Sequence, residues 1–140
     1  MADIKPVATR PLPDLTEEDT RSFWAATNTQ RFVYQQCGSC GMVVFYPRQH
    51  CTGCTTGRLE ERTSVGKGTI YTYSVVRQSY HPFFRTQVPY VVAWIDLDEG
   101  PRFLSNVIGV TSPDLSLIGK RVEITWEGHE GVSIPLFKLI

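Results

Sequence analysis

The sequence lacks the features that mark several classes of protein. Its 14 Lys and Arg residues balance 14 Asp and Glu residues, so it has no basic excess of the kind that nucleic-acid-binding proteins carry. No apolar run approaches the roughly 18 residues that span a membrane, and the N-terminal stretch has no apolar h-region of a signal peptide. We therefore expect a cytoplasmic protein without membrane contact, and nucleic acid is a poor candidate partner.

Few residues are candidates for catalysis. The sequence has three histidines: His50, His81 and His129. The carboxylates Asp96, Asp98 and Glu99 fall in a predicted hairpin, where acidic side chains are more often solvated than catalytic. No serine stands in a nucleophile-elbow context, and no phosphate-binding glycine-rich loop precedes a helix. We therefore predict that the chain is not an enzyme by itself.

The four cysteines form two C-x2-C pairs separated by ten residues: Cys37, Cys40, Cys51 and Cys54. This spacing is typical of a tetrahedral Cys₄ zinc site in a zinc ribbon. In a reducing cytosol such pairs bind metal more often than they form disulfides, although two disulfides or a redox-active pair are the alternatives. Iron has the same ligand set in a rubredoxin-like site. Because four thiolates fill the coordination shell, we predict a structural Zn²⁺, with His50 as a less favoured ligand.

Local patterns predict a mainly β protein in three parts. The first, residues 1–31, is a proline-rich arm followed by a helix over residues 16–28, with Thr16 as its N-cap. The second, residues 32–57, is a rubredoxin-like zinc ribbon in which MVVF and YPRQH form a hairpin. The third, residues 58–140, contains five or so strands rich in β-branched and aromatic residues. We predict an OB-type barrel of five strands because closure removes exposed edges, and a small sandwich is the alternative.

Four basic residues flank the aromatic-rich strands and can hold the phosphates of a nucleotide-like ligand: Arg48, Lys67, Arg77 and Arg85. His81, Phe83 and Phe84 lie in the loop SYHPFFRTQVPY. This loop is either the lip of a ligand site or a cover for one end of the barrel. Barrel faces with aromatic residues also bind single-stranded nucleic acid, so a nucleic-acid-binding ribbon–OB protein is the alternative function.

Taken in order, these features resemble the zinc-ribbon plus OB-fold proteins known as the domain-of-unknown-function-35 family. The resemblance rests on an aromatic pair in the N-terminal helix, the ribbon CGSCGMVVFYPRQHCTGC, the strand start GKGTIYTYSVV and the segments PYVVAWIDLDEGPRFLSNV and IGKRVEI. It covers about residues 16–140. The cysteine pairs alone are generic, whereas the ordered set is distinctive.

The resemblance implies a non-catalytic subunit of an acyl-CoA-processing complex. Its partner would be a thiolase-fold enzyme, either a thiolase or an aldolase that shortens acyl-CoA side chains, including those of steroids. The chain would stabilise this partner and bind or channel the CoA thioester through the four basic residues. In related steroid enzymes a similar domain is fused to a hydratase subunit, so the chain is a stand-alone member or an excised domain.

The same resemblance implies a surface that docks on the partner. Its candidate residues are aromatic, as is common at the centre of protein interfaces: Phe23, Trp24, Tyr46, Phe83 and Phe84. The helix that carries Phe23 and Trp24 has a narrow apolar stripe, which fits docking on a partner. The alternative is that the helix packs over the ribbon.

Overall fold

The computed structural model describes residues 9–140, and the first eight residues of the predicted arm lie outside this part. Its elements, in chain order, are α1 Arg21–Thr27, β1 Val33–Cys37, β2 Val43–Val44, β3 Leu59–Thr63, β4 Lys67–Val76, α2 Pro82–Arg85, β5 Tyr90–Leu97, β6 Arg102–Ile108, a 3-10 turn Leu115–Leu117, β7 Arg121–His129 and β8 Val132–Leu139. Among the described residues, no helix has the length and apolarity needed to cross a membrane.

Helix α1 begins later than predicted, at Arg21 rather than near Thr16. The Asp14 carboxylate accepts hydrogen bonds from the amide of Thr16 at 2.8 Å and from its hydroxyl at 2.6 Å. This side-chain turn uses the hydroxyl that was expected to cap the helix, and such turns compete with helix initiation. The segment between Thr16 and α1 therefore forms turns.

The ribbon is a three-stranded sheet in the order β2-β1-β3. Strand β2 pairs with β1, on the other side of the first cysteine pair, and Gln35 lies opposite Val44. The prediction that MVVF and YPRQH form a hairpin with each other is therefore wrong. Strand β3, which we assigned to the barrel, pairs along the whole of β1. The sequence of β3, LEERT, is mostly exposed and polar and has no apolar face to give to a barrel core. The ribbon sheet therefore extends to Thr63.

The remaining strands form a closed barrel in the order β4-β5-β6-β8-β7, with β4 paired to β7. Strand β5 shows strict alternation, with Val91, Ala93, Ile95 and Leu97 buried and their neighbours partly exposed. This arrangement is the OB-fold barrel that the sequence predicted rather than the alternative sandwich.

Four phenylalanine rings join the helix, the ribbon and the barrel. We call them the phenylalanine junction: Phe23 from α1, Phe32 and Phe45 from the ribbon, and Phe103 from β6. The ring centroid of Phe32 lies 5.3 Å from that of Phe23 and 5.0 Å from that of Phe103. In both pairs the ring planes are nearly perpendicular. Phe23 is only 4% exposed. It is therefore a core residue and not the docking residue that we predicted.

Candidate metal centre and ligand surfaces

The four cysteine sulfurs meet at one point, with all of them within 4.8 Å of one another. The Cys37 and Cys54 sulfurs are 3.7 Å apart, and those of Cys40 and Cys51 are 3.6 Å apart. A disulfide needs a separation of about 2.05 Å, so these are free thiols. A tetrahedron of sulfurs each about 2.3 Å from Zn²⁺ has edges of about 3.8 Å. The geometry thus fits a four-coordinate metal ion.

Each cysteine loop directs backbone amides at the sulfurs. The Gly57 amide donates to Cys54 Sγ at 3.2 Å, and the Ser39 amide donates to Cys37 Sγ at 3.4 Å. Gly57 lies so close to the site that a Cβ at this position would overlap Cys37 Sγ. The sequence therefore needs glycine here, because any side chain would displace a ligand sulfur.

The thiols differ in how readily they lose a proton. Hydrogen bonds from backbone amides lower the pKa of Cys54 to about 6 and also lower the pKa of Cys51. At Cys40 the Met42 amide favours the thiolate, but the neighbouring Cys51 sulfur and burial outweigh it and raise the pKa to about 11. Deprotonation of all four cysteines together would therefore require a compensating cation, such as a metal dication.

The donor set suits a structural metal ion rather than a catalytic one. Four sulfurs fill a tetrahedral shell and leave no position for a reacting water. His50 is exposed and is not among the clustered ligand groups. The residues present fit Zn²⁺, and they would hold it through Cys37, Cys40, Cys51 and Cys54.

The four predicted phosphate-binding residues do not come together. Arg77 and Arg85 line one cavity of about 370 Å³, next to Tyr80. Lys67 is at the other end of β4 from Arg77, and Arg48 is an exposed residue of the ribbon. A single anionic ligand can therefore meet Arg77 and Arg85 together, but not all four residues.

The loop between β4 and β5 is ordered by its own polar groups. The Arg85 guanidinium donates to the carbonyls of Ser79 at 3.4 Å and Tyr80 at 3.2 Å. His81 caps α2, because its Nδ1 accepts the Phe83 amide at 3.1 Å. The Tyr80 side chain remains 83% exposed beside the cavity. The loop thus presents an aromatic ring and two arginines on a fixed backbone.

Arg10, which the sequence analysis missed, joins the N-terminal arm to the barrel. Its guanidinium lies 4.9 Å from the ring centroid of Phe83 and forms a two-point ion pair with the Glu127 carboxylate. The His129 ring bonds to the same carboxylate at 2.7 Å. Phe83 and Phe84 are consequently half-buried beneath the arm. No sequence periodicity could have indicated this role for Arg10, which is a single arginine in a proline-rich stretch.

The acidic residues of the β5–β6 hairpin are paired rather than simply solvated, which corrects our expectation. Asp96 forms a two-point ion pair with Arg102, and Asp98 forms one with Arg121. The Asp98 pKa is held below its usual value, first by its hydrogen bonds to Arg121. His81 and His129 likewise make structural contacts, and the Glu99 carboxylate accepts the Ser64 hydroxyl in the linker before β4.

An exposed surface formed by two tyrosines, a leucine and an arginine runs from the ribbon onto the barrel. We call it the barrel face: Tyr46, Tyr71, Arg102 and Leu104. The Tyr46 hydroxyl accepts the Leu104 amide at 3.4 Å, and Arg102 stacks on the Tyr71 ring at 3.7 Å from its centroid. Tyr71 is 53% exposed and Leu104 is 43% exposed. Of these four residues only Tyr46 was predicted from the sequence, although strand alternation places Arg102 and Leu104 on one side of β6. Trp24, the other predicted docking residue of α1, is half-buried.

Two family models match the chain in tandem. The ChsH2 rubredoxin-like zinc ribbon domain matches residues 24–60, and the ChsH2 C-terminal OB-fold domain matches residues 61–127. The boundary between them falls within β3, close to the end of the ribbon sheet. These models agree with the four-sulfur site and with the barrel.

Curated proteins similar in sequence to this chain include scaffold proteins from two organisms. A DUF35 domain-containing scaffold protein of Methanothermobacter thermautotrophicus is 39% identical over 74% of this chain and 80% of its own length. One from Methanocaldococcus jannaschii is 37% identical over 69% of this chain and 72% of its own length. A Thermomonospora curvata protein described as a probable enoyl-CoA hydratase alpha subunit is 33% identical over 96% of this chain, which spans 41% of that protein.

Solved structures share the whole architecture. One chain of the Ltp2–ChsH2(DUF35) aldolase superposes with a TM-score of 0.79 and 30% identity, covering 91% of this chain and 98% of that chain. A DUF35 protein of unknown function from Sulfolobus solfataricus has a TM-score of 0.64 at 14% identity, covering 91% of this chain and 89% of its own, and shows the fold alone. This chain, with its four-cysteine ribbon followed by an OB-fold barrel, belongs to the DUF35 family.

Proposed function

We propose that the chain is a non-catalytic subunit that binds and stabilises a thiolase-fold enzyme acting on acyl-CoA, either a thiolase or an aldolase that shortens acyl side chains such as those of steroids. The observation that carries the proposal is the match to a chain of the Ltp2–ChsH2(DUF35) aldolase over 98% of that chain. The scaffold descriptions of the two archaeal relatives support the same role.

The polar groups of the chain support a role without catalysis. The hairpin carboxylates are paired with Arg102 and Arg121, and the Glu127 carboxylate is paired with Arg10. The clustered thiols are suited to a closed metal site, which has no catalytic position. Chemistry on an acyl-CoA would therefore come from the partner.

The barrel face is the proposed docking surface. Tyrosine and arginine are enriched among residues that dominate interface energies, and a stacked, ion-paired arginine loses little freedom on binding. Arg102 is held between the Tyr71 ring and the Asp96 carboxylate, so its position is set before a partner arrives. Tyr46 extends this surface onto the ribbon, whereas Phe83 and Phe84 lie beneath Arg10.

The cavity beside Arg77 and Arg85 is the proposed contact for CoA. Two guanidinium groups suit the phosphates of the nucleotide portion, and the exposed Tyr80 ring offers a stacking surface for a base. An adjoining cavity shares Arg77, and its mixed lining includes the apolar side chains of Val75 and Val110 and the ring of Tyr90. The less polar part of a CoA thioester can follow this second cavity.

Affinity capture of the full chain from its native extract tests the partner. The expected result is recovery of a thiolase-fold enzyme, whose stability and turnover fall when the chain is removed. Recovery without any acyl-CoA enzyme would contradict the proposal. Salt-dependent binding of a single-stranded oligonucleotide would instead support the nucleic-acid alternative.

Matched variants test the surface and the cavity separately. The double change Tyr71→Ser and Leu104→Ser is expected to weaken capture of the enzyme, whereas Leu115→Ser, at a site 82% exposed on another loop, is the control. The double change Arg77→Glu and Arg85→Glu should leave complex formation intact and raise the KM for acyl-CoA. An unchanged KM in the intact complex would remove CoA binding from the proposal but keep the scaffold role.

A further inference from the structure

A small cavity lies between Arg10 of the N-terminal arm and the outer side of β6. Its volume is about 110 Å³. A cavity of about 150 Å³ holds benzene, so this one has room for about four or five non-hydrogen atoms. We call it the arm cavity, and its lining includes Arg10, Phe84, Tyr90, Asn106, Ile108 and Leu136.

The arm cavity offers a hydrogen-bond donor that the fold does not use. The Arg10 guanidinium bonds to the Glu127 carboxylate through Nε and Nη2, and within residues 9–140 its Nη1 has no hydrogen-bond partner. An oxygen atom of a ligand in the cavity can accept from this nitrogen. Because Glu127 already balances the charge of Arg10, a neutral carbonyl oxygen suits the position better than a second carboxylate.

Much of the remaining wall is apolar. The ring centroids of Phe84 and Tyr90 lie 5.9 Å apart. Leu136 is buried, whereas Ile108 is 44% exposed at the edge of the cavity. A ligand that combines one carbonyl oxygen with a short hydrocarbon chain therefore matches this wall, and a short acyl group has this composition.

Tyr90 connects the arm cavity with the cavities proposed for CoA. It lines both the arm cavity and the cavity that includes Arg77. Tyr90 begins β5 and pairs with Val76 at the end of β4, while β6 on its other side ends at Ile108. The order β4-β5-β6-β8 gives three strand spacings, or about 14 Å, between β4 and β8. The extended pantetheine arm of CoA can bridge this distance.

We propose that the arm cavity is the pocket for the acyl group of a short-chain acyl-CoA, which rests on the CoA contact proposed above. With the phosphates at Arg77 and Arg85, the pantetheine arm passes Tyr90 and the thioester carbonyl accepts from Arg10 Nη1. The hydrocarbon chain lies against Phe84. Because the cavity holds about four or five atoms, an acyl chain of more than about four carbons extends out of it. The N-terminal arm thereby takes part in the selection of the acyl group.

Calorimetric titration of the full chain with three ligands tests the pocket: CoA, butyryl-CoA and octanoyl-CoA. We expect butyryl-CoA to bind about tenfold more tightly than CoA, because its acyl group is buried. Octanoyl-CoA should bind no more tightly than butyryl-CoA. An open apolar surface would instead increase affinity about fourfold for each further methylene group. Equal affinities for CoA and butyryl-CoA would overturn the proposal, and so would an affinity that keeps rising to octanoyl-CoA.

Matched variants on β6 locate the effect. Ile108→Phe adds volume at the edge of the cavity and should remove the advantage of butyryl-CoA while leaving the affinity for CoA unchanged. Leu104→Phe is the control, because Leu104 is similarly exposed on the same side of β6 but does not line the cavity. If Ile108→Phe keeps the full advantage of butyryl-CoA, the acyl group does not enter the arm cavity and the proposal fails.

A ligand without a nucleotide separates the pocket from the CoA contact. N-ethylbutyramide carries the acyl group and the carbonyl alone, and its binding is followed by NMR at the side-chain amide of Asn106, which donates to the Val91 carbonyl at 3.0 Å. We expect a concentration-dependent shift that Ile108→Phe abolishes. If this shift occurs while CoA does not bind, the pocket is supported and the CoA contact is wrong. If the amide causes no shift, the pocket is overturned even where CoA binds.

Discussion

In the turn between β5 and β6, the Glu99 carboxylate accepts a hydrogen bond from the Ser64 hydroxyl at 2.7 Å. Its second oxygen accepts the Val65 amide at 2.8 Å. Ser64 lies between the last ribbon strand and the first barrel strand, and its own amide donates to the Phe32 carbonyl at 2.8 Å. One carboxylate therefore fixes the short linker that sets the position of the ribbon on the barrel.

Replacing this acceptor should loosen the linker. In Glu99→Ala both carboxylate oxygens are removed, so the Ser64 hydroxyl and the Val65 amide lose their acceptor. We expect the free energy of unfolding to fall by about 1–3 kcal/mol, measured by denaturant titration. The exposed Glu130 offers a control, because Glu130→Ala should change stability by no more than about 0.5 kcal/mol. Equal effects of the two changes would contradict the role assigned to Glu99.

Loss of one ligand should release the metal. Cys37→Ser and Cys51→Ser each leave three thiolates, and we expect zinc content, measured by elemental analysis, to fall from one ion per chain to a trace. The ribbon should loosen while the far-ultraviolet circular dichroism keeps its β signature, since the barrel has its own strand pairings. If the purified chain contains no zinc or iron, the structural metal site itself is wrong.

The phenylalanine junction should be costly to disrupt. Phe32 is 2% exposed and contacts the rings of Phe23, Phe45 and Phe103. Phe32→Ala should lower the free energy of unfolding by about 3–5 kcal/mol. The melting temperature of the zinc-loaded protein provides the measurement, and Leu115→Ala at an exposed position is the control. Separate melting of ribbon and barrel in the wild type would show that the junction does not couple them.

The contact between Arg10 and Glu127 predicts a pH dependence. Burial alone raises the pKa of Glu127, but hydrogen bonds from Arg10 and His129 outweigh burial and hold the pKa below its ordinary value of 4.5. A lowered pKa in the folded state stabilises the protein above pH 4.5, and this contribution is lost as the pH falls through the folded-state value.

Removing the guanidinium should therefore weaken the protein most at neutral pH. We expect Arg10→Met to lower the melting temperature at pH 7, with the difference from the wild type shrinking below about pH 4 as the carboxylate protonates. Arg58→Met, at an exposed ribbon position, is the matched control. A difference that stays constant across this pH range would show that Arg10 acts through packing on Phe83 rather than through Glu127.

Sequence patterns predicted the clustering of the four cysteines and the barrel well, because both follow local rules. Cysteine spacing places the sulfurs at one point, and alternation in β5 orients its apolar side chains. The contacts that could not be predicted from the sequence are long-range. Phe23 stands in a narrow apolar stripe, and nothing local shows that Phe32, Phe45 and Phe103 enclose it. Arg10 likewise finds Glu127 at a distance of 117 residues along the chain.

The ribbon precedes every strand of the barrel, and this order has a consequence for biosynthesis. During synthesis the four cysteines leave the ribosome well before β8, which completes the barrel. The metal can therefore bind while the barrel is still open, so that the ribbon sheet can form before β6 appears. A shortage of zinc would then act on the nascent chain before it acts on the finished protein.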